Sequence, residues 1–191
     1  MALPALEAAA RDTSAEVREA AVAALGAVGG ERALAVARDA WRADSSDQVR
    51  ANALLALVTL GGVGAREAVL QGLETPSYRE AIQNVAVAAV VQHPDSGLVL
   101  ALTRQLAAQP FPAIGLAVLT SRGDTTARGA VGRALDDERA WVREWMLAAL
   151  VDQLEAKDAV ALLRETEPAL RRPEARTEVT RAISRLARPP S

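Results

Sequence analysis

Apolar residues recur at three- and four-residue intervals through most of the chain, which is the spacing of an amphipathic α-helix. The helix predicted over residues 17–28 carries one apolar stripe, which we expect to face the core. Its members are Val17, Ala20, Ala21, Ala24, Leu25 and Val28. The strict alternation of apolar and polar residues that is typical of half-buried β-strands is nearly absent. The pattern therefore predicts an all-α protein.

The helical pattern is itself repeated, with a period near 30 residues. The clear copies are VREAAVAAL (17–25), VRANALLAL (49–57), IQNVAVAAV (82–90) and VREWMLAAL (142–150), and the weaker ones are FPAIGLAVL (111–119) and EVTRAISRL (178–186). A second helical segment lies between successive copies. Because neither helix of such a pair can bury its apolar face alone, consecutive pairs are expected to stack.

This rhythm predicts a right-handed α-solenoid of about six antiparallel helix pairs, forming a single domain over residues 1–191. The expected pairs cover approximately 3–29, 31–61, 64–92, 96–121, 124–153 and 156–187. Start signals precede three copies, since Thr13 with Glu16, Ser45 with Gln48 and Ser77 with Glu80 have capping-box spacing. Glycines at 29–30 and 61–62 are expected to end the helices.

Composition narrows the class of protein further. Half of the 191 residues are hydrophobic but only 3% are aromatic, so the core is expected to consist mainly of Ala, Val and Leu. A net charge of −2 gives no overall field that would attract nucleic acid or an anionic membrane. The chain has no cysteine, which excludes disulfides and thiolate catalysis. No signal peptide or membrane span is visible, so the localisation is unknown and taken as cytoplasmic by default.

No residue pattern points to a known catalytic centre. His93 is the single histidine, lies in the turn-like segment QHPD, and cannot fill a metal shell by itself. The glycines of LGGVGARE fall where a repeat turn is due, without the Lys-Ser/Thr of a phosphate loop. The acidic run 136–138 is interpreted as helix N-terminal charges. From these residues the chain is predicted not to be an enzyme and to need no metal or cofactor.

An aspartate lies five residues before a Val-Arg pair in three of the copies. The three sets are Asp12, Val17 and Arg18; Asp44, Val49 and Arg50; and Asp137, Val142 and Arg143. This pattern, followed by an Ala/Leu run, resembles HEAT repeats, in particular the short bacterial kind of phycobilin-lyase-like repeat proteins. The resemblance implies that the Asp and Arg are structural and tie the turn within a repeat to its neighbour. The copy with Ile82-Gln83 and the copy at 111–119 depart from it.

A second resemblance covers roughly residues 12–187. The order ADSSDQVRANALLAL, TPSYREAIQNVAVAAV and RAWVREWMLAAL is similar to the C-terminal helical segment of bacterial aminopeptidase N-like zinc metallopeptidases. That resemblance implies a non-catalytic domain that shapes substrate access to a peptidase. The zinc motif of these peptidases, H-E-x-x-H, is missing from this sequence. The alternatives are a stand-alone adaptor of the phycobilin-lyase-like class and a DNA-binding solenoid.

Interaction with a protein or peptide is the expected activity, either with the chain's own catalytic domain or with a separate partner. Trp141 and Trp145 lie four residues apart on one helix, and Tyr78 lies in a turn. These aromatic residues either fill the core or mark a partner surface. No membrane partner is expected, and the arginines after residue 164 are interspersed with glutamates, which disfavours nucleic acid. An exposed terminal repeat could also support a weak homodimer.

Overall fold

The chain folds entirely into helices and short connections over residues 2–187, the part that the computed structural model describes. It divides into two compact units, Met1–Gln92 and His93–Ser191. No strand occurs among the described residues. The all-α prediction and the succession of about six helix pairs are therefore confirmed, whereas the single-domain organisation stays a prediction.

The first unit contains three helix pairs. Its helices are α1 (Ala2–Ala9), α2 (Ala15–Val28), α3 (Gly30–Ala43), α4 (Asp47–Leu60), α5 (Ala65–Glu74) and α6 (Ala81–Gln92). The second helices of the pairs form a row in which α4 lies between α2 and α6, while α3 packs against α4 and α5 against α6. A helix in the middle of this row is therefore covered on both sides.

The second unit repeats the arrangement. Its helices are α7 (Ser96–Gln105), α8 (Phe111–Ser121), α9 (Thr125–Leu135), α10 (Ala140–Gln153), α11 (Ala156–Thr166) and α12 (Pro173–Leu186). Here α10 packs against α8 and α12, and α9 packs against α7, α8 and α10. Consecutive pairs thus stack in chain order within the unit.

The cores consist of small and medium side chains, as the composition predicts. The largest fully buried side chains are Leu, Ile and Met, among them Leu54, Leu116 and Met146. Of the aromatic residues only Trp41 and Phe111 are buried. Small side chains let the helices approach closely: a Cβ added at Gly72 would lie 3.1 Å from the Cβ of Ala86. The same Cβ would lie 2.8 Å from Leu54 Cδ2, so a larger residue at position 72 requires the neighbouring side chains to shift.

The stripe predicted for α2 is partly wrong. Its buried residues are Ala21, Val22 and Leu25, whereas Val17 and Val28 are each 41% exposed. The corresponding Val49 of α4 is fully buried. The difference follows from the stacking, because α4 has neighbours on both sides of its row and α2 has α4 on only one side.

The helix ends depart from the predicted capping boxes. Ser14, rather than Thr13, is the N-cap of α2 and makes no side-chain cap, while Ser46 caps α4 by accepting from the Val49 N–H at 3.5 Å. The preceding aspartates make shorter hydrogen bonds at these helix starts. Asp12 accepts from the Ser14 N–H and Asp44 from the Ser46 N–H, both at 2.8 Å. Gly61 adopts the left-handed conformation after α4, at φ 65°.

Candidate functional site

The first arginine of the repeat motif connects two consecutive helix pairs. Arg18 donates from Nε and Nη2 to the two carboxylate oxygens of Asp44, at 2.8 and 3.0 Å. Its Nη1 donates to the carbonyl oxygens of Asp12 and Thr13 in the turn before α2. The guanidinium therefore holds its own turn and reaches the acid of the next repeat with a two-pronged hydrogen bond. We call this arrangement an arginine clamp.

A second arginine clamp has the same donor pattern in the other unit. Arg143 donates from Nε and Nη2 to Glu178, both at 2.8 Å, and from Nη1 to the carbonyl oxygens of Asp137 and Glu138. The Arg143 side chain is only 6% exposed and that of Glu178 is 26% exposed. Since Glu178 is on α12, the carboxylate comes from a helix instead of a turn.

Both clamps lower the pKa of their carboxyl group. The hydrogen bond from Arg18 holds the pKa of Asp44 below its ordinary value, against the opposing effect of burial. The hydrogen bond from Arg143 lowers the pKa of Glu178 in the same way. Asp137 is not the carboxylate of a clamp; it pairs with Arg139 at 2.8 Å, and this hydrogen bond lowers its pKa.

Arg50 does not form a clamp, although it matches the same sequence pattern. Its Nε donates to the Trp41 carbonyl oxygen at 3.3 Å, and its Nη1 lies 3.8 Å from Asp47 Oδ1, beyond hydrogen-bond distance. The position that would supply the next acid is Ser77, five residues before Ile82. No carboxylate is available there, and the guanidinium instead lies over the Trp41 ring, 5.2 Å from its centroid.

The third copy replaces the charged pair by a neutral one. Gln83 occupies the arginine position, is 2% exposed, and accepts a hydrogen bond from the Ser77 hydroxyl through Oε1. Ser77 Oγ also accepts the Ile82 N–H at 3.0 Å. Of the motif valines, Val49 and Val142 are buried and Val17 is exposed.

The three candidate surface aromatics occupy different environments. Tyr78 is 71% exposed, and Arg79 lies over its ring at 5.2 Å. The turn that carries it is strained, because Arg79 and Glu80 have φ values of 51° and 53°. Trp141 is 48% exposed at the start of α10 and Trp145 is half-buried. Tyr78 and Trp141 are therefore accessible to a partner.

Sequence reasoning missed the residues that complete these sites. Glu178 was not assigned to Arg143, because a carboxylate 35 residues away on another helix has no local signature. The open pocket beside Arg50, with a volume of about 340 Å³, was also missed. Its lining residues are Trp41, Arg42, Arg50, Gln71, Glu74 and Thr75. The missing acid at Ser77 is the one signal that could have drawn attention to Arg50.

Other chemical groups remain dispersed in the described part of the chain. His93 is exposed between α6 and α7. No three His, Cys, Asp or Glu residues within residues 2–187 converge as metal ligands. No helix in that range combines the length and apolar character needed to cross a bilayer.

Comparison with known proteins identifies the fold. Residues 1–58 match the family model of HEAT repeats. The chain also matches a chain in the structure of the complex of CpcE and CpcF of phycocyanin lyase from Nostoc sp. PCC7120, with a TM-score of 0.51 and 14% identity. That match covers 96% of this chain and 94% of the other. No curated protein sequence matches the chain significantly. The resemblance to HEAT repeats and the helical solenoid fold are confirmed.

The prediction that the chain is not an enzyme is corrected by this comparison. It was drawn from the lack of a recognised catalytic motif, yet the same fold occurs in a phycocyanin lyase, which is an enzyme. The fold therefore does not exclude an enzyme. At 14% identity the likeness itself shows the fold.

Proposed function

We propose that this chain is a HEAT-repeat adaptor that acts by binding another protein. The observation that carries the proposal is the match over nearly the whole chain to a member of the CpcE–CpcF complex, a structure in which two proteins assemble. The protein-interaction scaffold is the general role that the HEAT repeats support. The finer assignment, to a partner-binding surface, comes from the exposed aromatics.

The accessible side of α10 is the surface we assign to the partner. Trp141 is 48% exposed, although a large aromatic side chain gains by burial. Val151, further along α10, is 45% exposed. Tryptophan at the centre of an interface is often a residue whose truncation costs about 2 kcal/mol or more of binding free energy. Trp141 is thus the first residue to test.

Site-specific photo-crosslinking in the native host tests the proposal. A photoreactive phenylalanine analogue replaces Trp141, and the same analogue at Lys157, which is 76% exposed in the same unit, is the control. We expect one discrete cross-linked protein at position 141 only. The purified pair should co-elute, and Trp141→Ala should weaken their binding by about 30-fold. Equal labelling at both positions, or no complex of the purified proteins, would contradict the proposal.

A second candidate function is participation in a chromophore lyase. The name of the structural match favours it, as does the sequence resemblance to phycobilin-lyase-like repeats. In this role the adaptor would assist attachment of a bilin to its partner. The test is to express the chain together with a bilin and record the visible spectrum of the purified protein. A retained bilin absorption band supports this function, and a colourless protein that leaves attachment rates unchanged opposes it.

The aminopeptidase alternative gains no support from the family model or the matched structure. A reading frame with an upstream H-E-x-x-H motif would restore it.

The homodimer prediction retains a physical basis in the first helix pair, where Val17 and Val28 are each 41% exposed. Sedimentation over a range of concentrations tests it, and an unchanging monomer mass would remove it.

A further inference from the structure

Arg50, the motif arginine of the second repeat, has N–H donors that make no hydrogen bond within the described residues, unlike those of Arg18 and Arg143. Arg18 and Arg143 each donate from Nε and Nη2 to a carboxylate and from Nη1 to two carbonyl oxygens. Arg50 makes one hydrogen bond within the described residues, from Nε to the Trp41 carbonyl oxygen. A guanidinium has five N–H donors, so the four on the two Nη atoms of Arg50 have no hydrogen-bond acceptor there.

The position of the Arg50 guanidinium is held by its surroundings. It stacks over the ring of Trp41, which is 5% exposed. The Trp41 Nε1–H donates to Gln71 Oε1 at 3.4 Å, and this contact orients the Gln71 amide beside the pocket. The Gln71 amide nitrogen has no hydrogen bond within the described residues. Donors from Arg50 and Gln71 therefore line one pocket.

The charge and the size of the pocket indicate the class of ligand. Two arginines, Arg42 and Arg50, line it together with one acid, Glu74. Asp47 lies 3.8 Å from Arg50 Nη1, so it offsets part of the positive charge without accepting a hydrogen bond. Neither arginine forms an ion pair with Glu74. The pocket is open to solvent and has a volume of about 340 Å³, so it can admit a side chain but does not enclose a ligand. The Nη donors of Arg50 could therefore bind a carboxylate that comes closer than Asp47 does.

We propose that the pocket formed by Arg50, Trp41 and Gln71 binds a carboxylate supplied by an acidic side chain of a partner protein. The same arginine position takes a protein carboxylate in two other repeats, from Asp44 and from Glu178. For Arg50 of the second repeat, the next repeat has Ser77 at the acid position and Asp47 stays 3.8 Å away, so a partner supplies the hydrogen-bonded carboxylate. That a partner protein supplies the carboxylate rests on the proposed function, whereas the binding of a carboxylate in this pocket does not.

Proton–nitrogen NMR of the tryptophan indole groups tests the site on the whole chain. The probes are acetyl-Gly-Glu-Gly-amide, its Gln counterpart and acetate, each titrated at constant ionic strength. We expect the glutamate peptide to shift the Trp41 indole signal saturably and the glutamine peptide to have little effect. The signals of Trp141 and Trp145 should stay in place. Acetate should bind about tenfold more weakly than the glutamate peptide.

Two variants provide the comparison. Arg50→Gln should abolish the saturable shift, and Arg11→Gln, which removes an exposed arginine elsewhere in the same unit, should preserve it. Backbone amide signals of α2 and α6 that keep their wild-type positions show that the first unit of Arg50→Gln is folded. Absence of a saturable shift, or the same shift in Arg50→Gln, overturns the site. Equal affinity for acetate and peptide overturns the partner as the source. Cross-linking at Trp141 tests the proposed function independently of either result.

Discussion

Replacing Arg143 by methionine removes the guanidinium of the second arginine clamp while retaining an unbranched side chain of similar reach. Glu178 then loses both of its hydrogen bonds from Arg143, and the carbonyl oxygens of Asp137 and Glu138 lose their shared donor. Truncating one member of a buried ion pair costs about 3–5 kcal/mol when the remaining charge has no access to water.

The expected cost here is somewhat smaller, because water can reach part of the orphaned carboxylate. The Glu178 side chain is 26% exposed, whereas that of Arg143 is 6% exposed. We therefore expect Arg143→Met to lower the free energy of unfolding by about 2–4 kcal/mol near neutral pH. The matched control is Arg128→Met, whose partner is Glu165; their side chains are 46% and 63% exposed. That substitution should cost less than about 1 kcal/mol.

The cost of Arg143→Met should depend on pH in a defined direction. The pKa of Glu178 in the folded protein is lowered from its ordinary value of 4.5 by the hydrogen bond from Arg143. The stability that this ionised carboxylate contributes is fully present above the ordinary pKa and is lost as the pH falls through the lower, folded-state pKa. The difference between the wild type and Arg143→Met should therefore shrink in acid.

Urea unfolding followed by tryptophan fluorescence measures these effects. A Trp41→Phe background confines the signal to Trp141 and Trp145, which belong to the same compact unit as the clamp. A double-mutant cycle with Glu178→Gln isolates the pairwise term, which we expect to be about 1–3 kcal/mol. The reasoning fails if Arg143→Met costs no more than Arg128→Met, or if its cost is the same in acid as at neutral pH.

Four further substitutions test the packing of the helix pairs. Thr120 is 3% exposed and its hydroxyl has no hydrogen-bond partner in the described chain, so Thr120→Val should raise the thermal midpoint, with a gain of about 1 kcal/mol; a lower midpoint would contradict this. Gly72→Ala should lower the free energy of unfolding in urea by about 1–3 kcal/mol, since the new Cβ would lie 3.1 Å from that of Ala86. An unchanged free energy of unfolding would show that α5 and α6 separate freely. Val49→Ala should cost about 2 kcal/mol and Val17→Ala less than about 0.5, measured by the same denaturation, and equal costs would refute the difference in burial.

The fold class could be predicted from the sequence because its signals are local and repeated. Helical spacing is determined by the chain itself, and a pattern that recurs near every 30 residues requires neighbours that stack. The buried face of α2 could not be predicted in the same way. Val17 and Val49 occupy equivalent positions, but only Val49 is buried, since burial depends on which helices lie beside each position. Stacking order, and not local sequence, decides that difference.

The candidate sites could be predicted only as far as the motif extends. The Asp-Val-Arg pattern drew attention to Arg18, Arg50 and Arg143, yet the same arginine has different surroundings in each repeat. The partner of Arg143 is on α12, and a pairing across 35 residues leaves no trace in either segment. The surroundings of Arg50 include Trp41 of the preceding helix and no acid at Ser77, and neither feature can be inferred from the motif itself.

The position after the motif valine therefore varies in chemistry while its place in the stack is retained. A carboxylate pairs with Arg18 and with Arg143, a serine hydroxyl pairs with Gln83, and no carboxylate of the next repeat reaches Arg50. The helix rows require apolar side chains on their packed faces, and this requirement does not extend to the polar residue beside them. A repeat without the acid that pairs with the preceding arginine lacks only the polar contacts at that one junction between helix pairs. The arginine can then bind a carboxylate from another molecule. In a chain built from equivalent helix pairs, such a departure from the repeat is where a binding specificity can arise without disturbing the rest of the core.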